Sequence, residues 1–557
     1  MNPAQAQAAP QGDWPTLGAL PARAARRWPD REALTFGELR VSFSDFEHEV
    51  RRVAKALLAS GINRGDRVAV WMMNSPQWLY AMFAVPMVGA AIVPLNTRYR
   101  SDDIAYALAQ SRSALLLTQT RSGPVEFARM LTLGMSELDG CDARALELAK
   151  YPYLKQIVML DEAGSPGMQL WSDWLTTGEA VDDAALDRRL GEVGVDDDMM
   201  IMYTSGTTGH PKGALHSHRV VRNTLERMRL YGVTEDDVQM SYLPLFHIYG
   251  FSELAMASLL TGSRQVLMDM FDAEQALDLA ERERATMLHG FDAHWLDLLR
   301  AQEGRQRKLS IRLNTCPSGM KSSAAIARRA ETVFGTMLSG FGMSETWCFI
   351  TCNRPDDTLE QRTEASGTPM QGYACRIVDP QSGAAKPDGQ PGELLVRGYA
   401  QMKGYFDKPE ETARIVDADG WIHTGDMCLR RPDGHFVFMG RYRDILKVGG
   451  ENVSPAEVEA FLLGMEGIND AAVVGVPDAR LQEVVVAFVV PRLGAALDAE
   501  RLIQNAHGRI ASFKIPRHVF FEDALPMTPS GKVRKVELRA LARRRLGLPE
   551  TDGASKR

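Results

Sequence analysis

Cysteine is scarce in this chain, six among 557 residues, and Cys141, Cys316, Cys348, Cys352, Cys375 and Cys428 show no zinc-binding spacing. Cys348 and Cys352, four apart, would share a helix face, but two thiols without a second pair make a weak ligand set. The six read as reduced, mostly buried thiols, with the cytoplasm as the default compartment. Excess positive charge is missing too. Lys and Arg number 64 against 71 Asp and Glu, a net charge of −7, which gives no support for a nucleic-acid partner. No apolar run reaches membrane-span length, because "AMFAVPMVGAAIVPL" (81–95) is broken by Pro86, Gly89 and Pro94. The opening "MNPAQAQAAPQGDW" has neither a basic n-region nor an apolar h-region, so residues 1–16 read as a disordered tail and not a signal peptide. Internal repeats are absent, as is any carrier-protein segment with an attachment serine.

What is present is ordinary folded-protein composition, 45% hydrophobic and 24% charged, in a chain too long for one core. From 43 to 130, helical and strand patterns alternate. "SDFEHEVRRVAKALLASG" opens on a serine N-cap, carries apolar residues at helical spacing and stops at Gly61. "DRVAVWMM" then reads as a buried strand, "QWLYAMFAVPMVG" as a helix and "AAIVPL" as a strand. A second alternating run covers 196–340, and this rhythm predicts a largely parallel α/β sheet. From Gly367 the texture changes: "GELLVRG", "GWIHTGDMCLRRPDGHFVFMG" and the turn dipeptides Asp419-Gly420 and Asp433-Gly434 predict short antiparallel strands. Beyond Gly440 a compact α+β piece is expected, in the order helix, strand, strand, helix, strand. The final "VELRALARRRLGLPETDGASKR" reads as a basic helix with a solvated charged face, fading into disorder.

The densest local signal is "YTSGTTGHPKG" (203–213), fed by the apolar run "MMIMY". Gly206 and Gly209 let a ligand approach the backbone closely, while Thr204, Ser205, Thr207, Thr208 and Lys212 suit phosphate oxygens. It is not a Walker loop, since Pro211 stands where that motif requires glycine before the lysine. Alone, such a loop is more often a plain turn. Four more segments stand with it: "GFGMSET" (340–346), "HTGDM" (423–427), "GRYRDILKVGGENVSPAEVE" (440–459) and "PMTPSGKVRK" (526–535).

In this order and spacing the five segments resemble the signature motifs of the adenylate-forming superfamily: acyl- and aryl-CoA synthetases, luciferases and peptide-synthetase adenylation domains. The resemblance runs from 17 to 545 and is nearest to a fatty-acid or aryl-acid CoA ligase. It implies a large α/β domain over 17–440, made of stacked sheets with a small β-rich subdomain. A hinge at 441–446, a small mobile α+β domain over 447–545 and a disordered tail over 546–557 would follow. It implies ATP, Mg²⁺ and coenzyme A as the small molecules used with a carboxylic acid, and leaves a homodimer open. Such an enzyme joins the acid to AMP, releasing pyrophosphate, then passes the acyl group to a thiol.

The resemblance also implies roles. The 204–212 loop would hold the β- and γ-phosphates. Glu345 would coordinate Mg²⁺, with Gly342 and Ser344 beside it at the nucleotide. Asp426 would accept from both ribose hydroxyls, assisted by Arg441. Lys532 would reach the α-phosphate, and Lys532, Glu345 and Thr204 would form the catalytic set. Asp444 would be the hinge, and Lys447, Gly449 and Gly450 would line the path of the pantetheine arm. Phe341 stands where the family commonly has an adenine-stacking tyrosine. In "PSGMKSS" (317–323) Gly319 can line the nucleotide, but Met320 departs from the family's small residues and no proline follows it.

On the acyl side the resemblance places "LPLFHIYGFSELAMASLL" (243–260) and "HGFDAHW" (289–295), with His247, Tyr249, Gly250, Phe251, Met320 and Met343 as pocket residues. No obvious Lys or Arg in these stretches meets a second carboxylate, which favours a monocarboxylic acid. His247 after Phe246, where amino-acid-activating relatives carry aspartate, argues against amino acids. Medium-chain fatty, alicyclic and aryl acids stay open, and the small Gly250 and Ser252 lean the reading towards an aliphatic chain. Two further readings remain: an adenylating enzyme that loads a carrier protein, and a catalytically silent acyl- or nucleotide-binding protein.

Overall fold

The computed structural model describes residues 14–122, 125–160, 165–204, 211–317, 321–448, 451–478, 480–507, 509–528 and 533–549. Strand alternation explains its first sheet. Along Arg67–Trp71 and Leu115–Thr118 the side chains of Val68, Val70, Leu115 and Leu117 enter one core, and those of Ala69, Trp71 and Leu116 enter another. A strand buried on both faces must be apolar throughout, which is why these segments read as unbroken hydrophobic runs. Among the described residues this sheet has eight strands, in the order 404–405, 212–217, 198–204, 91–94, 67–71, 115–118, 156–159 and 169–170. The pairs from 198–204 outward to 169–170 are parallel.

Among the described residues the second sheet has seven strands, ordered 336–338, 313–315, 287–289, 238–241, 264–267, 32–36 and 39–42. The helices Phe43–Ala59 and Pro76–Met87 pack on each other within the core shared by both sheets. The expected serine N-cap shifts by two residues: Ser44 lies inside the helix, and Ser42 Oγ caps it by accepting from the Asp45 N–H at 3.0 Å. Two features were not legible in the periodicity. The hairpin Glu32–Phe36/Leu39–Ser42 precedes the first predicted helix, and Asp198–Thr204 pairs antiparallel with Lys212–Ser217. The glycine-rich segment therefore links two strands of a hairpin, within a run expected to be parallel.

The antiparallel stretch from 373 to 441 forms a four-stranded sheet in sequence order. Its last turn carries Asp433-Gly434, with Gly434 at φ +90°, a conformation that glycine reaches without a Cβ penalty. Among the described residues the C-terminal part forms a five-stranded sheet. Val473, Val485 and Val489 face one apolar cluster and Val474, Val484 and Val486 the opposite one. The helix Pro455–Leu463 packs on Lys321–Phe334, Ser454 Oγ donates to the Met439 carbonyl at 2.8 Å, and Arg300 hydrogen-bonds Asn469.

Two sequence expectations are corrected. Cys348 and Cys352 share no helix: Cys352 lies in the short strand Thr351–Cys352, and Cys348 in the turn before it. The last helix, Lys535–Arg545, is not simply solvated on its charged face. Arg539 Nη2 donates to Asp444 Oδ1 at 2.8 Å and Arg545 pairs with Glu522 at 2.5 Å, while Leu546 and Leu548 pack against the apolar cluster beneath. No helix of the described residues is long and apolar enough to cross a membrane.

Candidate active site

Strand register positions the residues that the sequence assigns to the phosphates. Thr204, at the end of a buried strand, stands opposite Lys212, and its Oγ1 donates to the Lys212 carbonyl at 3.3 Å. Ser205, Gly206, Thr207, Thr208 and Gly209 lie outside the described residues, as do Gly319, Met320, Gly449, Gly450 and Lys532. The Lys212 ammonium is paired with the Glu411 carboxylate and sits 5.3 Å from the centroid of the Tyr405 ring. Tyr405 donates its hydroxyl to Glu345 Oε1 at 2.7 Å. One chain of contacts thus runs from the strand leaving the glycine-rich loop to the carboxylate of "GFGMSET". Burial first, then the Glu345 and Glu411 carboxylates, push the Tyr405 phenol well above its ordinary pKa, so it remains a donor.

The 340–347 segment is held by close backbone packing. A β-carbon on Gly342 would lie 1.3 Å from the Cys348 carbonyl oxygen, so only glycine fits there. Trp347, two residues past Glu345, has φ +65° and ψ 149°, a region costly for a bulky side chain. Its surroundings hold it: the indole N–H donates to Thr224 Oγ1 at 3.4 Å, and His216 and Phe251 meet the ring edge-on at 5.3 and 5.9 Å. His216 Nε2 is 2.7 Å from the Ser344 carbonyl. Burial lowers this histidine to about 4, so the neutral ring carries its proton on Nε2 and donates it to that carbonyl. Phe341 packs with Ile350, Ile422 and Cys428, and its ring centroid is 6.0 Å from that of Phe438.

Asp426 and Arg441, fifteen positions apart, are direct cross-strand partners, and Arg441 Nε lies 3.1 Å from Asp426 Oδ1. Arg441 also opposes the rise in the Tyr405 pKa, which puts this pair in the electrostatic neighbourhood of Glu345.

On the predicted acyl side, Tyr249 hydrogen-bonds Thr315 and meets Phe291 and Phe349 edge-on at 5.2 and 5.6 Å. His289 Nδ1 is 2.8 Å from Thr315 Oγ1. Burial, aided by the positive charge of Arg227, drives His289 down to about 3, and burial alone takes His294 to about 4. Phe251 is wholly enclosed, its ring between Trp78 and Trp347. His247 N–H donates to the Pro244 carbonyl at 3.1 Å as the chain enters the short helix Ile248–Gly250, and Met343 is half-buried.

The size argument from Gly250 and Ser252 is corrected. A β-carbon on Gly250 would meet the Pro244 carbonyl oxygen at 2.5 Å, so backbone packing, not room for a chain, requires that glycine. Ser252 Oγ is occupied by Arg227 at 2.9 Å and Thr224 at 2.8 Å. The lean towards aliphatic acids loses its support.

Asp444 ends a short 3₁₀ turn and accepts from Arg539 of the last helix. Lys447 lies opposite Asn452 in the hairpin Leu446–Val448/Glu451–Val453. The sequence reading missed His216, Tyr405 and Glu411, and the buried Arg227–Glu253 pair. "MKGYFDKPEET" (402–412) carried a faint signal, a tyrosine and acids between glycine and proline, but a turn gives the same pattern.

The chain matches the family of AMP-binding enzymes over residues 21–406, and the AMP-binding enzyme C-terminal domain over 457–532. It is 35% identical over 532 residues to a methyl-dioxo-octahydroindenyl propanoyl:CoA ligase of Mycobacterium tuberculosis, covering 95% of this chain and 99% of that one. It is 30% identical to the human mitochondrial medium-chain acyl-CoA ligase ACSF2, covering 96% and 88%. Among solved structures, the anthranilate CoA ligase AuaEII with anthranoyl-AMP superposes with a TM-score of 0.84 at 25% identity, covering 96% of this chain and 98% of that one. ATP-bound MatB from Rhodopseudomonas palustris gives 0.80 at 29% identity, covering 94% and 98%.

Proposed function

This chain belongs to the family of AMP-binding enzymes and is an ATP-dependent acid–CoA ligase, and from that premise we propose which side chains serve its two half-reactions and which acids it takes. The observation that carries the assignment is the contact chain Lys212–Tyr405–Glu345 with the Asp426–Arg441 pair beside it. Five side chains, from residue 212 to residue 441, supply one constellation suited to a nucleotide. Glu345 is buried, and among the described residues only its Oε1 is engaged, which leaves Oε2 for a hard cation. Mg²⁺ bound there would neutralise charge on the phosphates. Asp426 takes the ribose hydroxyls, and its pairing with Arg441 orients the carboxylate. Thr204 and the loop after it receive the pyrophosphate end, and Lys532 stabilises charge developing at the α-phosphate.

The acid is a monocarboxylic one with an apolar body: medium-chain fatty, alicyclic or aryl. Supporting this, His289 and His294 are kept neutral by burial, and the guanidinium of Arg227 is already matched by Glu253. The protein acts in the cytoplasm, a placement that subcellular fractionation would check. A pyrophosphate-release assay over a panel of such acids, with and without coenzyme A, tests the whole reading. CoA-dependent AMP formation with an apolar monocarboxylate is expected. Exchange without it would point to a carrier-protein acceptor, and no turnover with any acid to a silent binding protein.

Two substitutions test the residue roles. Asp426→Ala should raise KM for ATP much more than KM for the acid, because ribose contacts are lost along with the Arg441 pairing; an effect confined to the acid would reject the ribose role. Glu345→Ala should lower activity severely with no recovery at high Mg²⁺, since the carboxylate itself is gone. Recovery would show that Glu345 is not a principal ligand.

A further inference from the structure

The segment 402–406 is bonded on two sides. The Met402 N–H donates to the Glu345 carbonyl at 2.7 Å, the Lys403 N–H to the Leu215 carbonyl at 2.7 Å, and the Phe406 N–H to the Gly213 carbonyl at 2.8 Å. Tyr405 pairs with Ala214, and its own N–H donates to Thr412 Oγ1 at 2.8 Å, fixing the turn into the short helix Pro409–Ala413 that carries Glu411. The backbone of this segment therefore ties the strand leaving the glycine-rich loop to the residue that ends in the Glu345 carboxylate. Tyr405 repeats the tie with its side chain. Its ring packs on Ala214 and Met402, and its hydroxyl reaches Glu345 Oε1 at 2.7 Å.

We infer that Tyr405 is a positioning residue for the metal site: its hydroxyl holds the Glu345 carboxylate in one orientation, leaving the second oxygen for Mg²⁺. This rests on the assignment of Glu345 as a metal ligand. A glutamate has three side-chain torsions, and freezing them before the metal arrives removes an ordering cost from binding. A phenol donating to an ionised carboxylate is a strong, charge-assisted restraint. Partners that orient a ligating carboxylate typically contribute ~10–100-fold in metal affinity or activity. The alternative role for Tyr405 is packing alone, in which the ring matters and the hydroxyl does not.

Tyr405→Phe keeps the ring and removes only the hydroxyl. Binding of Mn²⁺·ATP to the full-length enzyme, followed by electron paramagnetic resonance, should weaken ~10–100-fold in Tyr405→Phe, and at least as much in Glu345→Gln. In pyrophosphate exchange, the half-saturating Mg²⁺ concentration of Tyr405→Phe should rise by a similar factor, with the rate climbing back as Mg²⁺ is raised. Weakened Mn²⁺·ATP binding in Glu345→Gln but not in Tyr405→Phe would overturn the positioning role and leave the ligand assignment standing. Unchanged binding in both variants would overturn both. A Tyr405→Phe rate that is low by the same factor at every Mg²⁺ concentration would also overturn it, because packing damage has that signature.

Discussion

Lys532→Ala should slow adenylate formation ~10²–10³-fold, the usual effect of removing one donor aimed at developing charge. It should leave CoA transfer from supplied acyl-adenylate almost intact, because bonds are then exchanged at the acyl carbon, not at phosphorus, and the lysine loop would have swung away from the site. Gly449→Leu should do the reverse, obstructing the pantetheine path while pyrophosphate exchange continues. The small domain gives a physical reason for the split. Met527 and Val533, which flank the lysine, pack against one apolar face of the five-stranded sheet. Leu446, Val448 and Val453, in the hairpin that carries the glycines, belong to two edge-side strands of the sheet and send their side chains into the opposite apolar cluster. If both loops serve one site, they would have to reach it in turn, by rotation of the small domain. Asp444, at the start of this part of the chain, is where such a rotation would be absorbed, and its ion pair with Arg539 would have to follow or break. Single-turnover assays of the separate half-reactions decide the matter. Equal loss in both halves for both variants would reject an alternating domain.

Arg227→Met should destabilise the folded protein by ~3–5 kcal/mol, the typical cost of leaving one member of a buried ion pair alone. Both side chains of the Arg227–Glu253 pair are 0% exposed. Burial by itself opposes the guanidinium charge, but the Glu253 carboxylate outweighs it and raises the arginine pKa above its ordinary value. The other donors are used as well: Nη1 donates to Asn223 Oδ1 at 2.5 Å and to the Phe349 carbonyl at 3.4 Å, and Nη2 to Ser252 Oγ at 2.9 Å. The network joins the helix Val220–Leu230, the π-helical turn Phe251–Met256 and the loop two residues beyond Trp347. Denaturant midpoints of Arg227→Met and of Arg227→Met/Glu253→Gln provide the measurement. The double variant should recover most of the loss, since it buries no unpaired charge. A single variant as stable as wild type would show that the pair contributes only shape.

Some of this was legible before any coordinates. "DRVAVWMM" and "AAIVPL" read as strands because a strand covered on both faces must be apolar at every position, and composition records that directly. Asp433-Gly434 read as a hairpin turn because its backbone conformation admits few residues. The Asp426–Arg441 pair was half legible: both residues stood in motifs, but their opposition depends on a bulge between Met427 and Cys428 that periodicity does not report. Cys348 and Cys352 misled because spacing of four implies a shared face only if the segment is helical. Gly250 misled because a small residue signals close approach without saying by what, and here a backbone carbonyl approaches.

The sequence by itself determined the class of elements, the two-part organisation and the reaction family, because those rest on local periodicity and on short contiguous motifs. Only the tertiary structure decided which groups meet. Tyr405 and Glu345 are 60 positions apart, and Lys212 and Glu411 are 199 apart. No local pattern links them, because their meeting is set by strand order. The strand 404–405 joins the eight-stranded sheet beside 212–217, across nearly two hundred residues of intervening chain. Backbone hydrogen bonding along that edge, indifferent to side-chain identity, carries the phenol to the carboxylate.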